Sequence, residues 1–339
     1  MGKNYTPPFN ITAGIISLVA DISELMGEIS ILDSISKTLR LRRANRIRTI
    51  QGSLAIEGNT LSIDQITAIL DGKRVIAPPR EVQEVRNAIK AYDFLDQWQP
   101  YSQKDLLNAH SVLMTGLLDH PGAYRTGGVG IMAKDTVVHM APPARRVVQL
   151  MQDLFDWIKT TDQHPLIASS VFHYEFEFIH PFADGNGRMG RLWQTLMLHK
   201  WNPLFANIPV ESLVYEHQAE YYAALSKSTE NSESSVFIEF MLKMILDAAS
   251  SLSTPEVTPE VTPEVKKMLS ILKKEMTRNE IQQALGLKDE KHFREAYQQP
   301  AIAAGLIEMT IPDKPQSRLQ KYRITPKGKA LGVKSEEFH

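Results

Sequence analysis

Most of the chain follows a helical pattern of hydrophobic positions. In residues 11–50 apolar side chains recur every three or four positions, at Ile15, Leu18, Ile22, Leu25 and Ile29. Further helices are predicted at 62–70, which opens with a Ser62–Gln65 capping box, and at 102–118, which Ser102 would cap. Others are predicted at 81–98, 144–160, 165–178, 188–201 and 235–252. The pattern therefore predicts a mainly α-helical protein.

One internal stretch departs from this pattern. Residues 121–143 contain Pro-Gly and Gly-Gly pairs that break helices. Between these pairs lie residues that favour strands: Val129, Ile131, Val137 and Val138. We predict a β-hairpin, either an ordinary surface hairpin or one whose exposed edge binds an extended peptide through main-chain hydrogen bonds.

The C-terminal quarter differs in composition and charge. Three copies of Thr-Pro-Glu-Val end at residue 265 and predict a semi-stiff linker, because proline does not continue a helix. Residues 266–339 hold 15 Lys and Arg against 9 Asp and Glu, a net charge of +6, while the rest of the chain carries −7. We predict an N-terminal helical region (1–60), a core (61–252), a linker (253–265) and a separate domain (266–339).

That last domain has the pattern of a winged helix-turn-helix. Residues 277–287 and 289–297 predict two helices joined by a turn, and residues 306–309 and 322–324 predict the strands of a wing. In some proteins such a domain binds DNA, and in others it binds another protein. The modest positive charge leaves both partners open.

Composition narrows the class of protein. The chain has 339 residues, 43% of them hydrophobic, and no cysteine. Disulfides, thiol nucleophiles and cysteine zinc sites are therefore excluded, and a cytoplasmic location is expected. No run of 18 apolar residues is present, so no membrane span is expected.

The residue types suited to catalysis and ligand binding are concentrated in residues 180–191, HPFADGNGRMGR. The imidazole of His180 titrates near neutral pH and suits a general base. Asp184 supplies a carboxylate that can hold Mg²⁺ against phosphate oxygens. Arg188 and Arg191 are three residues apart on one helix face, where both can neutralise a polyphosphate. The stretch is therefore expected to handle a nucleotide.

The Gly185-Asn186-Gly187 turn completes this expectation. Glycines let the backbone turn sharply and approach a ligand closely. A turn of successive N–H groups that opens a helix binds anions, and the positive end of the helix dipole adds to the attraction. Phosphates are the expected ligand of this turn.

Residues 180–191 match the Fic signature H-P-F-x-D-G-N-G-R-x-G-R at every defined position. The chain therefore resembles Fic protein adenylyltransferases over roughly residues 50–250. The resemblance implies a helical Fic fold that moves AMP from ATP to a Ser, Thr or Tyr hydroxyl of a protein and releases pyrophosphate.

The same resemblance implies a role for each residue of the signature. His180 is the base, Asp184 holds Mg²⁺, and Phe182 anchors the loop in the core. ATP phosphates are bound by Gly185, Asn186, Gly187, Arg188 and Arg191. The predicted hairpin corresponds to the family's flap, which holds the target segment beside the loop; the flanking pairs Tyr124-Arg125 and Pro142-Pro143 also look like the family.

A second motif precedes the core. Ser53 and Glu57 are four residues apart, on one side of a predicted helix that Gly58 would end. They match the family's inhibitory motif, [Ser/Thr]-x-x-x-Glu-[Gly/Asn]. The resemblance implies that Glu57 pairs with Arg191 and withholds it from the γ-phosphate, with Ser53 in support.

Other residues are open to two interpretations. Tyr221 and Tyr222 resemble a recurring Fic segment that follows the active helix. One of them is a candidate to line the adenine pocket, and helix packing is an equally good interpretation. His173 and Glu177 have a spacing that a metal site can use, although packing behind the loop is the simpler interpretation. His110 is expected to be a core residue.

Three hypotheses about function remain. The first is a self-inhibited adenylyltransferase that also modifies itself. The second is an enzyme that removes AMP with the help of Glu57. The third is a DNA-binding regulator with a Fic core as sensor. The target protein is unknown, and a homo-oligomer is possible in each case.

Overall fold

The computed structural model describes residues 5–36, 39–128, 130–133, 136–253, 263–287, 289–311, 320–326 and 328–329. Contacts group the chain into two compact units, Met1–Ser253 and Thr254–His339. The first unit contains the signature loop. The predicted mainly α-helical class is confirmed.

The described part of the first unit is built from helices and one hairpin. Its helices and strands are α1 Ala13–Ser36, α2 Leu39–Ile56, α3 Ile63–Leu70, α4 Pro79–Asp93, α5 Gln103–Met114, β1 Gly130–Ala133, β2 Thr136–Met140, α6 Ala144–Thr160, α7 Pro165–Ile179, α8 Asn186–Trp201, α9 Val210–Glu216, α10 Gln218–Asn231 and α11 Ser235–Ser253. Short 3₁₀ turns follow α4 and α8, at Leu95–Gln97 and Pro203–Asn207.

Helices α7 and α8 lie at the centre of this unit and pack against each other. Every side chain of α7 from Leu166 to Glu177 is buried. A helix that is covered on all sides belongs in a protein core. Polar residues on α7 are therefore held in fixed positions by their surroundings.

Local signals in the sequence account for several helix starts. Ser62 forms the predicted capping box with Gln65 at the start of α3, and Ser102 caps α5. Helix α4 begins at Pro79, two residues before the prediction, because proline is favoured in the first turn. It also ends at Asp93, well before the predicted end at Trp98.

Two other predictions need correction. The helical pattern of residues 11–50 corresponds to two helices, α1 and α2, and α2 continues to Ile56. Helix α8 begins at Asn186, two residues earlier than predicted, because Gly185 adopts a left-handed conformation (φ 85°) at its N-cap position.

The predicted hairpin is present as the antiparallel pair β1–β2. Gly130 pairs with Met140 and Ala133 with Thr136, and the register shifts between Ile131 and Met132. Val129 lies outside the described residues. Ile131, Val137 and Val138 lie on the strands, as expected.

The second unit has its own core and a three-stranded antiparallel sheet. Its elements are α12 Pro263–Ile271, β3 Met276–Thr277, α13 Arg278–Leu285, α14 Glu290–His292, a π-helical stretch Phe293–Gln298, α15 Gln299–Ala303, β4 Ile307–Met309 and β5 Lys321–Ile324, and the strand order is β3-β5-β4. Thr277 forms a capping box with Glu280 at α13. The winged-helix assignment stays a prediction.

The end of the repeat region differs from the predicted linker. Residues 254–262 lie outside the described residues, but α12 already begins at Pro263, within the third Thr-Pro-Glu-Val copy. Proline at the first helical position and an acidic residue, Glu264, in the first turn both favour a helix start. Across the described residues, no helix is both long and apolar enough to cross a bilayer.

Candidate active site

The signature loop begins where α7 ends. His180 has a left-handed backbone (φ 49°, ψ 62°), which is uncommon for a residue other than glycine and persists where the surroundings hold it. Arg125 supplies that restraint. Its Nε donates to the carbonyl oxygen of His180 at 2.7 Å, and its backbone N–H donates to Pro181 at 2.9 Å.

The buried guanidinium of Arg125 also reaches both ends of the hairpin. Nη1 donates to Gly127 O at 2.9 Å and Nη2 donates to Pro142 O at 2.5 Å, while Nη2 also contacts Ile179 O at 3.2 Å. One side chain thus ties the loop to the segments on either side of the hairpin. Arg125, from the flanking pair Tyr124-Arg125 noted in the sequence, is therefore the residue that joins the hairpin to the signature loop.

Three further side chains hold the middle of the loop. Asn186 bonds both backbone groups of Phe182: its Oδ1 accepts from Phe182 N at 2.8 Å and its Nδ2 donates to Phe182 O at 3.0 Å. The Phe182 ring is fully buried and stacks on His110, with ring centroids 3.7 Å apart. Burial of the ring and its stacking on His110 give a structural basis for the expected anchoring role of Phe182.

His110 was expected to be a core residue, and it is buried, but it also contacts the loop. Its Nδ1 accepts from Gly122 N at 2.8 Å, which leaves Nε2–H to donate to Asp184 O at 3.0 Å. Burial lowers the pKa of His110 to about 4, so the ring is neutral in this tautomer near pH 7. A lone histidine on a helix gave no signal of this contact.

The second half of the loop has the geometry of an anion site. Gly185 precedes α8, whose first N–H groups and dipole face the loop. Arg188 and Arg191 lie on the first turns of α8 and are both buried. The structure thus brings together the backbone turn and the two arginines that the sequence pointed to.

Arg191 is engaged by the N-terminal motif. Its Nη2 donates to Glu57 Oε1 at 2.7 Å and to Ser53 O at 3.0 Å, and its Nε donates to Ser53 Oγ at 3.2 Å. Arg191 is 2% exposed and Glu57 32%. The Glu57 carboxylate also approaches the start of α8 so closely that a Cβ at Gly187 would overlap it.

Asp184 lies at the mouth of the loop, with its side chain 38% exposed. Arg188 Nη2 donates to its Oδ1 at 3.0 Å, and Arg80 Nη2 donates to its Oδ2 at 3.2 Å. Glu84 lies 3.5 Å from Arg188 Nη1 and accepts from the Asn59 amide at 2.9 Å. The i, i+4 spacing of Arg80 and Glu84 was visible in the sequence, but nothing in it placed them beside Asp184.

A Mg²⁺ ion fits this site. Mg²⁺ takes oxygen ligands, keeps several waters and is bound in nucleotide sites by one or two carboxylates together with phosphates. Asp184 offers such a carboxylate next to the anion site. Within the described ranges, no cluster of three or more His, Asp or Glu suggests a separate metal centre, so the His173–Glu177 alternative lacks further ligands.

The two tyrosines differ in their positions. Tyr221 is buried, and its hydroxyl lies 3.2 Å from His173 Nε2, so it belongs to the packing behind the loop. Tyr222 is 41% exposed. Of the two candidates for an adenine pocket, Tyr222 therefore has the accessible ring.

Comparisons with known proteins agree with this geometry. A family model described as the Fic/DOC family matches residues 100–198, and one described as the C-terminal domain of filamentation induced by cAMP protein Fic-like matches residues 263–325. A crystal structure of a Fic family protein from Desulfovibrio desulfuricans G20 is 51% identical, covers 96% of this chain and 99% of its own, and has a TM-score of 0.73. The chain belongs to the Fic family.

Curated relatives are more distant. Protein adenylyltransferase fic-1 of Caenorhabditis briggsae is 31% identical over 221 residues, which cover 61% of this chain and 41% of that protein. Protein adenylyltransferase Fic of Aedes aegypti is 29% identical over 248 residues, which cover 66% of this chain and 47% of that protein. The chain thus spans less than half the length of these two relatives.

Proposed function

We propose that the chain is a self-inhibited protein adenylyltransferase that moves AMP from ATP to a Ser, Thr or Tyr hydroxyl of a target protein and releases pyrophosphate. The observation that carries the proposal is the arrangement of one loop, which brings together a histidine, the N-terminal end of a helix and two buried arginines. The names of the curated relatives support the same class of reaction.

Each group has a chemical task in this reaction. His180 takes the proton from the target hydroxyl, whose oxygen then attacks the α-phosphorus of ATP as the bond to pyrophosphate breaks. The N–H groups at the start of α8, with Arg188 and Arg191, bind the phosphates. Asp184 is the residue that would hold Mg²⁺, which when bound neutralises phosphate charge.

Self-inhibition follows from the position of Glu57. A carboxylate and a phosphate compete for the same guanidinium and for the same N–H groups. While Glu57 holds Arg191, the γ-phosphate lacks this partner, and the carboxylate also lies in the space beside Gly187. Removing the carboxylate is therefore expected to activate AMP transfer.

The hairpin supplies a site for the target. Strands β1 and β2 pair only with each other among the described strands, so an outer edge offers main-chain donors and acceptors. Arg125 ties both ends of this hairpin to the loop that carries His180. A bound segment would therefore present its hydroxyl near the base with little demand on its sequence.

The test uses ATP labelled at the α- or the γ-phosphate, Mg²⁺ and a cell lysate. Wild type, Glu57→Gly, and Glu57→Gly with His180→Ala are compared. We expect α-label on protein in the Glu57→Gly reaction, including on the enzyme itself, and its loss without His180. Transfer of γ-label would instead identify a kinase, and no transfer from any variant would reject the proposal.

Removal of AMP is the second candidate, because Glu57 lies inside the site where it can position a water molecule. Incubation of a pre-labelled target with wild type and Glu57→Gly distinguishes the two. Loss of AMP that requires Glu57, with no net transfer by any variant, would favour removal.

For the second unit we propose a winged helix that binds DNA or a protein. Its net positive charge permits DNA binding. Fluorescence anisotropy of the full chain with a duplex oligonucleotide at rising salt tests this. Affinity that falls steeply with salt is expected for DNA, and no binding at low salt would leave a protein partner.

A further inference from the structure

A buried carboxyl lies directly behind the proposed base. Glu177 is on the last turn of α7, 7% exposed, and its Oε2 is 3.9 Å from His180 Nδ1. We propose that Glu177 is a positioning residue, which orients the His180 ring and stabilises its protonated form during AMP transfer. This inference rests on the proposed function of the loop.

The backbone explains why the two side chains face each other. His180 follows Glu177 by three residues, and its left-handed conformation ends the helix at this point. Its Nδ1 is buried on the side of Glu177, and the side chain as a whole is 20% exposed. In the proposed reaction Nε2 is the ring nitrogen that takes the proton from the target hydroxyl.

Proton transfer to Nε2 makes the ring an imidazolium cation that retains its Nδ1–H. An ionised Glu177 then stands opposite a positive ring and takes no proton itself. A buried aspartate acts in this way on the histidine of a Ser-His-Asp triad. The separation of 3.9 Å exceeds a hydrogen bond, and such contacts often tighten only when substrate is bound.

The neighbours of Glu177 leave His180 as its changeable partner. His173 Nε2 is 3.9 Å from Glu177 Oε1, but burial lowers the pKa of His173 to about 3, and its Nδ1 is 2.7 Å from Gln194 Oε1. His173 is thus neutral. Tyr221 faces Glu177 from α10, and Arg191 faces it from α8 while paired with Glu57.

These surroundings set the pH range of the effect. Burial raises the pKa of Glu177 to about 7; the charge of Arg191 opposes this rise and the charge of Glu57 adds to it. Below pH 7 the carboxyl is protonated and cannot stabilise an imidazolium, and above pH 7 it is ionised. Activity is therefore expected to rise through an acid limb that belongs to Glu177 and His180 together.

The same helix offers a matched control. Glu175 is also buried, and burial raises its pKa to about 7 as well. Its carboxylate accepts a hydrogen bond from the Tyr5 hydroxyl at 2.7 Å, away from the loop. Glu175→Gln and Glu177→Gln thus remove equivalent charges from α7, and they differ in whether the charge faces His180.

The first experiment measures AMP transfer in the Glu57→Gly protein from pH 5.5 to 9. Glu177→Gln is expected to lower kcat by about 10- to 100-fold, part of what a general base contributes, and to move the acid limb to lower pH with little change in KM for ATP. Glu177→Asp should keep the limb, and Glu175→Gln should behave like its parent. Unchanged kcat and pH limb in Glu177→Gln would overturn the proposal.

A second readout does not depend on turnover. Titration of the His180 ring by NMR in the full chain is expected to show its pKa falling by about one unit in Glu177→Gln and not in Glu175→Gln. If this shift appears while no variant transfers AMP, the coupling stands and the proposed function fails. If AMP is transferred but Glu177→Gln leaves the His180 pKa unchanged, the positioning role is wrong.

Discussion

The two halves of the signature loop are held by different kinds of contact. The first half, up to Asp184 O, is fixed by hydrogen bonds between its backbone and the buried side chains of Arg125, Asn186 and His110. The second half is held by ion pairs among side chains: Arg191 with Glu57, Arg188 with Asp184 and Glu84, and Arg80 with Asp184.

The contacts of the first half are permanent, whereas a ligand can replace the contacts of the second half. Buried backbone groups that lose their partner are strongly destabilising, so the first half has one conformation. Around the second half, carboxylates occupy arginines that also suit phosphates. Binding of a nucleotide can therefore replace the second set of contacts without disturbing the first.

Arg125→Ala should have the largest effect, because Arg125 holds the first half of the loop. It removes the donor to four carbonyls, among them those of the buried Ile179 and the half-buried His180, and we expect the free energy of unfolding to fall by about 3 kcal/mol or more. For a unit of this size the Tm falls by roughly 6–12 °C. Thermal unfolding checks this, with the exposed Arg145→Ala as control. A Tm within 2 °C of wild type (roughly 0.5–1 kcal/mol) would show that the loop has other restraints.

Asn186→Ala tests the same half with a smaller change. Both backbone groups of Phe182 lose their partner, and we expect a loss of about 2 kcal/mol in stability. ATP binding should weaken as well, since the loop can then move away from α8. Calorimetry and thermal unfolding measure the two effects, and Asn231→Ala, at an exposed position, is the control. Weaker stability with unchanged ATP affinity would mean that the anion site forms independently of Phe182.

Glu57→Gln should strengthen ATP binding, in contrast to Asn186→Ala, which should weaken it. Neutralising the carboxylate frees Arg191, and we expect ATP to bind about 10-fold more tightly, in line with one charge-assisted hydrogen bond of about 1.5 kcal/mol. Isothermal titration with Mg²⁺ and ATP measures this. The exposed Glu216→Gln should bind like wild type. Equal affinity in Glu57→Gln would show that Arg191 does not contact the nucleotide.

Arg80→Ala is the smallest change. Arg80 is 61% exposed, and an ion pair at such a site contributes about 0.2–1 kcal/mol, so stability should stay nearly constant. Asp184 becomes free of one competing cation, and the Mg²⁺ concentration needed for ATP binding should fall about twofold. Arg86→Ala, exposed on the same helix, is the control. A rise in the Mg²⁺ requirement would instead indicate that Arg80 helps to bind phosphate.

Local signals in the sequence predicted much of this arrangement. The helical periodicity, the caps at Ser62 and Ser102, the hairpin and residues 180–191 depend on neighbours within one or two turns. Each of these features can therefore be predicted from the residues of its own segment. The starts of α4 and α8 were misplaced because a proline and a left-handed glycine act on particular backbone positions, which periodicity does not show.

Sequence patterns were enough to predict the helices, the hairpin and the chemical groups of the loop. The folded chain shows which groups face them: Arg125 on His180, His110 on Asp184, Arg80 and Glu84 at the mouth, and Glu177 rather than Glu175 behind the base. These partners, Glu177 apart, lie some 55 to more than 100 residues from the loop residues that they contact. Spacing along a helix shows which residues share a face, and packing alone determines what lies opposite that face.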